Sequence, residues 1–136
     1  IDSEKNIGVV EGRNRLIDEA DGEYIAFLDA DDYWKEDKLE KQIEFMKKEN
    51  AAISCTEYTR VTEEGKPINE IKIKEEITYR DLLKNNYLGC LTVIYDAKKF
   101  KRFNRQINFY LKMRIWVLVE NFRNKSYFIP TCLSLF

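Results

Sequence analysis

A short apolar run ends in a cluster of carboxylates in the first third of the chain. Residues 22–32 read GEYIAFLDADD, and residues 24–28 show the nearly continuous apolar pattern of a strand buried on both faces of a sheet. Asp29, Asp31 and Asp32 follow this strand at once. Carboxylates this close repel one another, so a cation or strong hydrogen-bond donors must offset the cost of bringing them together.

The position of the cluster indicates which chemistry it could serve. Ligands bind at the carboxyl ends of the strands in open α/β sheets. A hard divalent cation held there by one or two carboxylates, and completed by substrate phosphates, is the usual arrangement for Mg²⁺ or Mn²⁺. A solvated surface turn explains the same residues equally well on composition alone, because short acidic motifs are common.

A calcium-binding loop is a further alternative for the acidic cluster. Asp29, Asp31 and Glu40 fall at the first, third and twelfth positions of an EF-hand loop. However, Trp34 stands where that loop requires glycine, and no helix precedes the cluster. The calcium loop is therefore excluded.

Composition narrows the classes of function. The chain has 136 residues, with 23 Lys and Arg against 24 Asp and Glu interleaved along it, which argues against a nucleic-acid-binding surface. The absence of histidine excludes a Ser-His-Asp triad. The three cysteines, Cys55, Cys90 and Cys132, are widely spaced and fit free thiols in a reducing compartment. We therefore expect a cytoplasmic protein.

Helices alternate with apolar strands, which predicts an α/β architecture with a mostly parallel sheet. Thr78 is expected to cap a helix that runs through Asn85, with Asp81 completing the cap. The apolar residues Leu39, Ile43 and Met46 are expected to face the core. The other expected elements are helices at 11–20 and 36–48, and strands at 24–28, 51–61, 68–73, 91–95 and 127–129, the last ended by Pro130. The E-G-K-P stretch at 64–67 predicts a turn between the strands at 51–61 and 68–73.

The residues around the acidic cluster complete a longer pattern, which resembles the family 2 glycosyltransferases, inverting enzymes with the GT-A fold. The resemblance is close from residue 6 to about residue 46 and looser through 77–83 and 88–93. The matching stretches are N-I-G at 6–8, G-R-N at 12–14, A-D-G-E-Y at 20–24, the D-A-D-D motif at 29–32, Y-W at 33–34 and K-L-E-K-Q at 38–42.

The resemblance implies a fold and a domain organisation. The expected fold is a GT-A-like (Rossmann-like), mostly parallel sheet flanked by helices and lacking the first strands. Residues 1–136 would form a single partial glycosyltransferase catalytic domain. The chain begins at Ile1, within the family pattern, so we expect an amino-terminally truncated fragment. A period-two alternation at 107–119 suggests a strand, but the family has a helix there, and a helix is expected.

The resemblance also implies roles for individual residues. Asp31 would contact the metal, Mg²⁺ or Mn²⁺, while Asp29 would face the ribose of the donor or the metal through water. Asp32 would support the site, and Arg13 would reach the nucleotide of the donor, although an ordinary helix-surface arginine fits the same position. Trp34 is a candidate wall of the sugar site, with plain packing as the alternative. Thr92 matches a family position near the acceptor.

The catalytic base is not identified. In the family an acidic pair lies shortly before an aromatic residue and a tryptophan. If Trp116 is that tryptophan, Leu111 and Lys112 occupy the places of the acidic pair. Glu120 is the nearest carboxylate, and no pattern supports it as the base.

Two functions follow from the resemblance. The first is metal-dependent, inverting transfer of a sugar from a nucleotide diphosphate sugar to a sugar or lipid-linked glycan acceptor, in the synthesis of a bacterial cell-surface polysaccharide at the inner face of the membrane. The alternative is a catalytically incompetent GT-A-like fragment that acts as a binding or self-association module and forms a homo-oligomer through an exposed sheet edge.

Overall fold

The computed structural model of the chain describes residues 6–74, 76–85, 88–99 and 129–132. Its helices are α1 (Gly8–Glu19), α2 (Lys38–Lys48) and α3 (Tyr79–Lys84), and a 3₁₀ turn covers Cys90–Thr92. Its strands are β1 (Tyr24–Ala26), β2 (Ile53–Thr56), β3 (Tyr58–Val61), β4 (Pro67–Ile71), β5 (Glu76–Ile77), β6 (Ile94–Asp96) and β7 (Ile129–Cys132).

The described strands form a mixed sheet in the order β1-β6-β2-β7-β5. Strand β6 runs antiparallel to both of its neighbours, β1 and β2, so these two strands point the same way without pairing. Only β2 and β7 pair in parallel among the described strands, and β5 pairs antiparallel with β7. The α/β class is confirmed. The described part of the sheet is not mostly parallel as predicted, because β6 returns between β1 and β2.

The predicted strand at 51–61 is interrupted at Glu57. The first half, β2, is completely buried in the main sheet, whereas β3 leaves that sheet and forms an antiparallel hairpin with β4. The predicted turn between these two strands is confirmed. Gly65 has a φ of 77°, a left-handed conformation that glycine adopts without steric cost, and its N–H donates to the carbonyl of Thr62 at 2.9 Å.

One core lies on β1, β2 and β6. Ile25 and Phe27 are buried there, and the cluster continues through Ile53, Cys55, Ile77, Leu88, Val93 and Tyr95. Cys55 is fully buried and free, as predicted, and burial raises the pKa of its thiol to about 12. This thiol therefore remains protonated and packs as a small apolar side chain.

Helix α2 buries only part of the face that its apolar residues predict. Met46 is buried as expected and Ile43 packs against the core cluster that contains Met46, but Leu39 is 40% exposed. The residues buried in its place are Lys38 and Gln42. The helix therefore turns a polar stripe towards β2, and the hydrogen bonds that allow this are described with the site.

Three further predictions concern the carboxyl-terminal half. The residues expected to begin a strand at 91–95 form the 3₁₀ turn instead, and the strand starts only at Ile94. Pro130 does not end the last strand as predicted but lies within β7, opposite Glu76. The predicted helix at 107–119 lies outside the described residues.

The predicted cap of α3 is confirmed as a capping box. The Thr78 hydroxyl oxygen accepts from the N–H of Asp81 at 3.3 Å, and the Asp81 carboxylate accepts from the N–H of Thr78 at 3.0 Å. Lys74 also donates to Asp81. The hydrogen bond from Lys74, followed by those from Thr78, holds the pKa of Asp81 well below its usual range.

This cap makes a prediction for stability. Thr78→Ala should lower the free energy of unfolding by about 1 kcal/mol, measured by urea denaturation at pH 7, because the N–H of Asp81 loses its side-chain acceptor. Lys84→Ala, at the exposed end of the same helix, is the control and should change stability much less. Equal losses in both variants would contradict the cap.

The same carboxylate predicts a pH dependence. Because its pKa is lower in the folded chain, Asp81 stabilises the fold above the ordinary Asp pKa of about 3.9, and this stabilisation is lost as the pH falls through the folded value. Asp81→Asn should therefore flatten the acid limb of the stability curve. An unchanged acid limb in this variant would show that the carboxylate contributes nothing.

Candidate functional site

The acidic motif forms a tight turn at the carboxyl end of the first strand. The N–H of Asp32 donates to the carbonyl of Asp29 at 3.1 Å, which closes the turn two residues beyond the buried Phe27. Asp31 points outward and is exposed, whereas Asp29 and Asp32 are half-buried. The turn therefore brings the three predicted carboxylates together, in three different environments.

Arg13 reaches this turn from the second turn of α1. Its Nη2 atom lies 2.6 Å from Oδ1 and 2.9 Å from Oδ2 of Asp29, and the Arg13 side chain is only 17% exposed. The sequence analysis placed Arg13 at the donor nucleotide and did not foresee this ion pair. The guanidinium supplies one of the strong donors that the carboxylate cluster was expected to need.

The N-I-G stretch sets the start of the helix that carries Arg13. The side-chain oxygen of Asn6 accepts a hydrogen bond from the N–H of Gly8 at 2.9 Å. Gly8 has a φ of 74°, in the left-handed region that favours glycine. These two residues shape the backbone and so determine where Arg13 leaves α1.

Asp32 is subject to the carboxylate repulsion that Arg13 does not offset. Its pKa is raised above the ordinary Asp value, first because it is partly buried and then because Asp31 and Asp29 lie close to it. A carboxyl with a raised pKa is stabilised when protonated, so this group favours the fold less as the pH rises through its folded value. A cation bound beside the turn would favour the ionised carboxylate of Asp32 and so oppose this loss of stability.

The turn provides an incomplete set of metal ligands. Among the described residues, no group of three or more His, Cys, Asp or Glu side chains converges as a closed metal site. Mg²⁺ and Mn²⁺ usually take only one or two carboxylates and complete their coordination with substrate phosphates and water. An exposed Asp31 beside Asp32 fits that open kind of site, while both oxygens of Asp29 already contact Arg13.

A cavity of about 800 Å³ opens beside the acidic turn. The turn forms one wall, the start of α2 a second, and the β3–β4 hairpin a third. This volume lies within the range of small-molecule sites in proteins. The lining residues from the turn and from α2 are Asp31, Asp32, Tyr33, Trp34, Lys35 and Lys38, and those facing them include Glu57, Tyr58, Arg60, Leu91 and Thr92.

A chain of polar contacts fixes the wall formed by Trp34. Its indole N–H donates to the carbonyl of Leu91 at 2.8 Å, and the ammonium of Lys38 lies 4.5 Å from the centroid of its ring. Lys38 donates to the side-chain carbonyl of Gln42 at 2.9 Å. Sequence reasoning missed the burial of Lys38 and Gln42. Trp34, Lys38 and Gln42 follow one another at intervals of four residues, and this spacing was the signal in the sequence that could have indicated their contact.

Thr92 and Cys90 border the site without being available for chemistry. Thr92 lines the cavity but is 1% exposed, and its hydroxyl donates to the carbonyl of Gly89 at 2.7 Å. Burial raises the pKa of the Cys90 thiol to about 11, with a smaller lowering by Arg13 and smaller increases by Asp29 and Asp32. A thiol that stays protonated at neutral pH is a poor nucleophile.

None of the helices in the described part of the chain combines the length and the hydrophobicity of a membrane span. The residues before Trp116, where the family resemblance would put the acidic pair, lie outside the described part.

Comparison with known proteins places the chain in a family. The model of the family described as "Glycosyl transferase family 2" matches residues 1–119. No solved structure matches the chain significantly. The family match covers the acidic turn, Arg13 and the cavity, so every residue of the candidate site lies within it.

Three bacterial relatives show the same affiliation. TuaG of Bacillus subtilis (strain 168), provisionally named a teichuronic acid biosynthesis glycosyltransferase, is 46% identical over 97 residues, which are 71% of this chain and 38% of TuaG. WfgD of Escherichia coli, a UDP-Glc:alpha-D-GlcNAc-diphosphoundecaprenol beta-1,3-glucosyltransferase, is 37% identical over the same shares of both chains. The amylovoran biosynthesis glycosyltransferase AmsB of Erwinia amylovora is 44% identical over 46 residues, which are 34% of this chain and 15% of AmsB.

The matched region thus spans well under half of the length of these relatives. Two of these relatives carry names that refer to the biosynthesis of teichuronic acid and of amylovoran. The chain belongs to glycosyltransferase family 2.

Proposed function

We propose that the chain is a partial catalytic domain for metal-dependent, inverting transfer of a sugar from a nucleotide diphosphate sugar to an acceptor hydroxyl, in bacterial cell-surface polysaccharide synthesis. One observation carries the proposal: the acidic turn, with Asp29 bonded to Arg13, borders a cavity large enough for such a donor. The whole domain would be GT-A-like, with a parallel part of the sheet completed outside the described strands.

Each carboxylate of the turn receives a separate role in this proposal. Asp31 is exposed and lines the cavity, so it is the carboxylate that would hold Mg²⁺ or Mn²⁺. Asp29 is held by Arg13 and faces the donor ribose, or the metal through water. Asp32 supports the site by adding negative charge beside Asp31. When bound, the metal neutralises the charge of the diphosphate leaving group.

Arg13 orients one carboxylate of the site, that of Asp29, and does not neutralise all three. A guanidinium bonded to both oxygens of one carboxylate fixes that carboxylate in one rotamer. It also removes part of the repulsion within the turn, because its positive charge offsets the negative charge of Asp29. In this proposal Arg13 acts on the nucleotide through its position beside Asp29.

The partners follow from the relatives. The name of WfgD gives UDP-glucose as donor and a lipid-linked GlcNAc as acceptor. For this chain we propose a nucleotide diphosphate sugar as donor and a sugar or lipid-linked glycan as acceptor, with the reaction at the cytoplasmic face of the membrane. No residue is proposed as the catalytic base.

A second candidate function is self-association without catalysis. Strand β1 lies at one end of the sheet formed by the described strands, and an unpaired edge can pair with another copy. Sedimentation of the chain alone tests this candidate. A stable dimer that binds no nucleotide would favour it over the enzyme.

The donor site is tested by calorimetric titration of UDP with Mn²⁺ into the chain. We expect metal-dependent binding in the wild type, and a loss of about tenfold or more in Asp31→Ala, equivalent to about 1.4 kcal/mol. Asp21→Ala is the matched control, because Asp21 is also an exposed aspartate near β1 but does not line the cavity. No binding at millimolar UDP, or equal losses in both variants, would contradict the proposed site.

The raised pKa of Asp32 predicts how metal affinity depends on pH. Protons compete with the metal for the carboxylates, so Mn²⁺ affinity should fall as the pH is lowered, with a midpoint above the ordinary Asp pKa of about 3.9. Asp32→Asn should weaken binding at pH 7 and move the midpoint downward. Titration of Mn²⁺ alone, followed by its electron paramagnetic resonance signal, avoids ionisation of the nucleotide. A midpoint that stays in place in Asp32→Asn would contradict this role.

A further inference from the structure

The start of α2 carries a polar stripe that is buried beneath the cavity wall. Lys38 is 5% exposed and Gln42 is completely buried, although both belong to the first two turns of a surface helix. Burying a charged side chain and an amide is costly unless both are hydrogen-bonded. The contacts of these two residues therefore show what the stripe holds in place.

Gln42 is the centre of this stripe. Its side-chain carbonyl accepts from the ammonium of Lys38 at 2.9 Å. Its amide group donates to the hydroxyl of Ser54 and to the carbonyl of Thr92, each at 2.9 Å. One side chain thus joins the start of α2, strand β2 and the 3₁₀ turn.

Lys38 connects Gln42 to the indole of Trp34. Its ammonium lies 4.5 Å from the centroid of the Trp34 ring, within the distance at which a cation is attracted to an aromatic face. The hydrogen bond to Gln42 keeps the ammonium in that position. Because the Lys38 side chain is buried, the attraction is stronger than at an exposed site.

Two adjacent carbonyl groups of the 3₁₀ turn complete the arrangement. The Leu91 carbonyl accepts from the indole of Trp34, and the Thr92 carbonyl accepts from Gln42. The indole is therefore held at its N–H and over its ring, and both contacts lead back to the same turn. Trp34, Lys38, Leu91 and Thr92 all line the cavity.

We propose that Gln42 and Lys38 are positioning residues that hold the Trp34 indole as the wall against which the sugar ring of the substrate packs. A flat aromatic side chain with its polar group already bonded offers an apolar surface with little loss of rotamer freedom on binding. The Asp31 carboxylate lies on the same cavity, which places this wall beside the proposed metal. That a sugar is the ligand rests on the proposed function, whereas the fixation of Trp34 does not.

The experiment follows the emission of Trp34. The chain has two tryptophans, so subtraction of the Trp34→Phe spectrum isolates the Trp34 contribution from that of Trp116. Acrylamide quenching of this contribution reports how freely the indole moves into solvent. The variants are Lys38→Met and Gln42→Met, with Lys38→Arg as the rescue that keeps a cation over the ring. Met46→Leu, a volume-conserving change at a buried position of the same helix, is the control.

The expected result is a rise of about twofold in the quenching constant of Trp34 in both methionine variants, because the indole loses its cation or the partner of that cation. Lys38→Arg and Met46→Leu should quench as the wild type does. Quenching that is unchanged in a folded Lys38→Met chain would overturn the proposal. If Gln42→Met does not fold, the result for Lys38→Met decides. Urea denaturation establishes whether each variant folds.

Titration of UDP-glucose with Mn²⁺ separates this proposal from the proposed function. If the wild type binds, Lys38→Met should weaken the affinity about tenfold while binding of UDP changes less, since only the sugar packs on the wall. Equal weakening for both ligands would overturn the role of the wall in sugar binding. If the wild type binds neither ligand, the proposed function fails, and quenching alone decides whether Lys38 and Gln42 position Trp34.

Discussion

Repulsion among the carboxylates at the end of β1 is the constraint on which the candidate site depends. The buried strand ends in a turn that brings Asp29, Asp31 and Asp32 together. The Arg13 guanidinium binds both carboxylate oxygens of Asp29. The remaining repulsion falls on Asp32, whose pKa is raised. A bound cation would offset this remaining repulsion, and in the proposed function a divalent metal, together with the diphosphate of the donor, would supply it.

The wall of the cavity that Trp34 forms is held by buried hydrogen bonds rather than by a balance of charges. Helix α2 buries Lys38 and Gln42, and hydrogen bonds from Gln42 to Ser54 and Thr92 compensate for the lost hydration. The same bonds connect the helix to the 3₁₀ turn and keep Trp34 in place. The acidic wall and the aromatic wall are thus built by separate interactions, so a substitution in one wall need not disturb the other.

Features encoded by neighbouring residues could be predicted from the sequence. The capping box of Thr78 and Asp81 and the glycine turn of the hairpin are such cases. Strand direction could not be predicted, because an apolar run reads the same in either direction and β6 is placed by its partners. The break at Glu57 also escaped detection: its carboxylate accepts from the N–H of Ile73, a contact between residues distant in sequence. The ion pair between Arg13 and Asp29 was missed for the same reason.

The decisive measurement is the pKa of Asp32 by carboxyl ¹³C NMR, with and without Mg²⁺ and UDP. We expect a value above the ordinary Asp pKa of about 3.9 in the free chain, and a fall when the metal and nucleotide bind and favour the carboxylate. Arg13→Gln should raise the free-chain value further, because it leaves Asp29 without the guanidinium. A pKa at or below the ordinary value that does not respond to metal would show that the turn is a solvated surface feature.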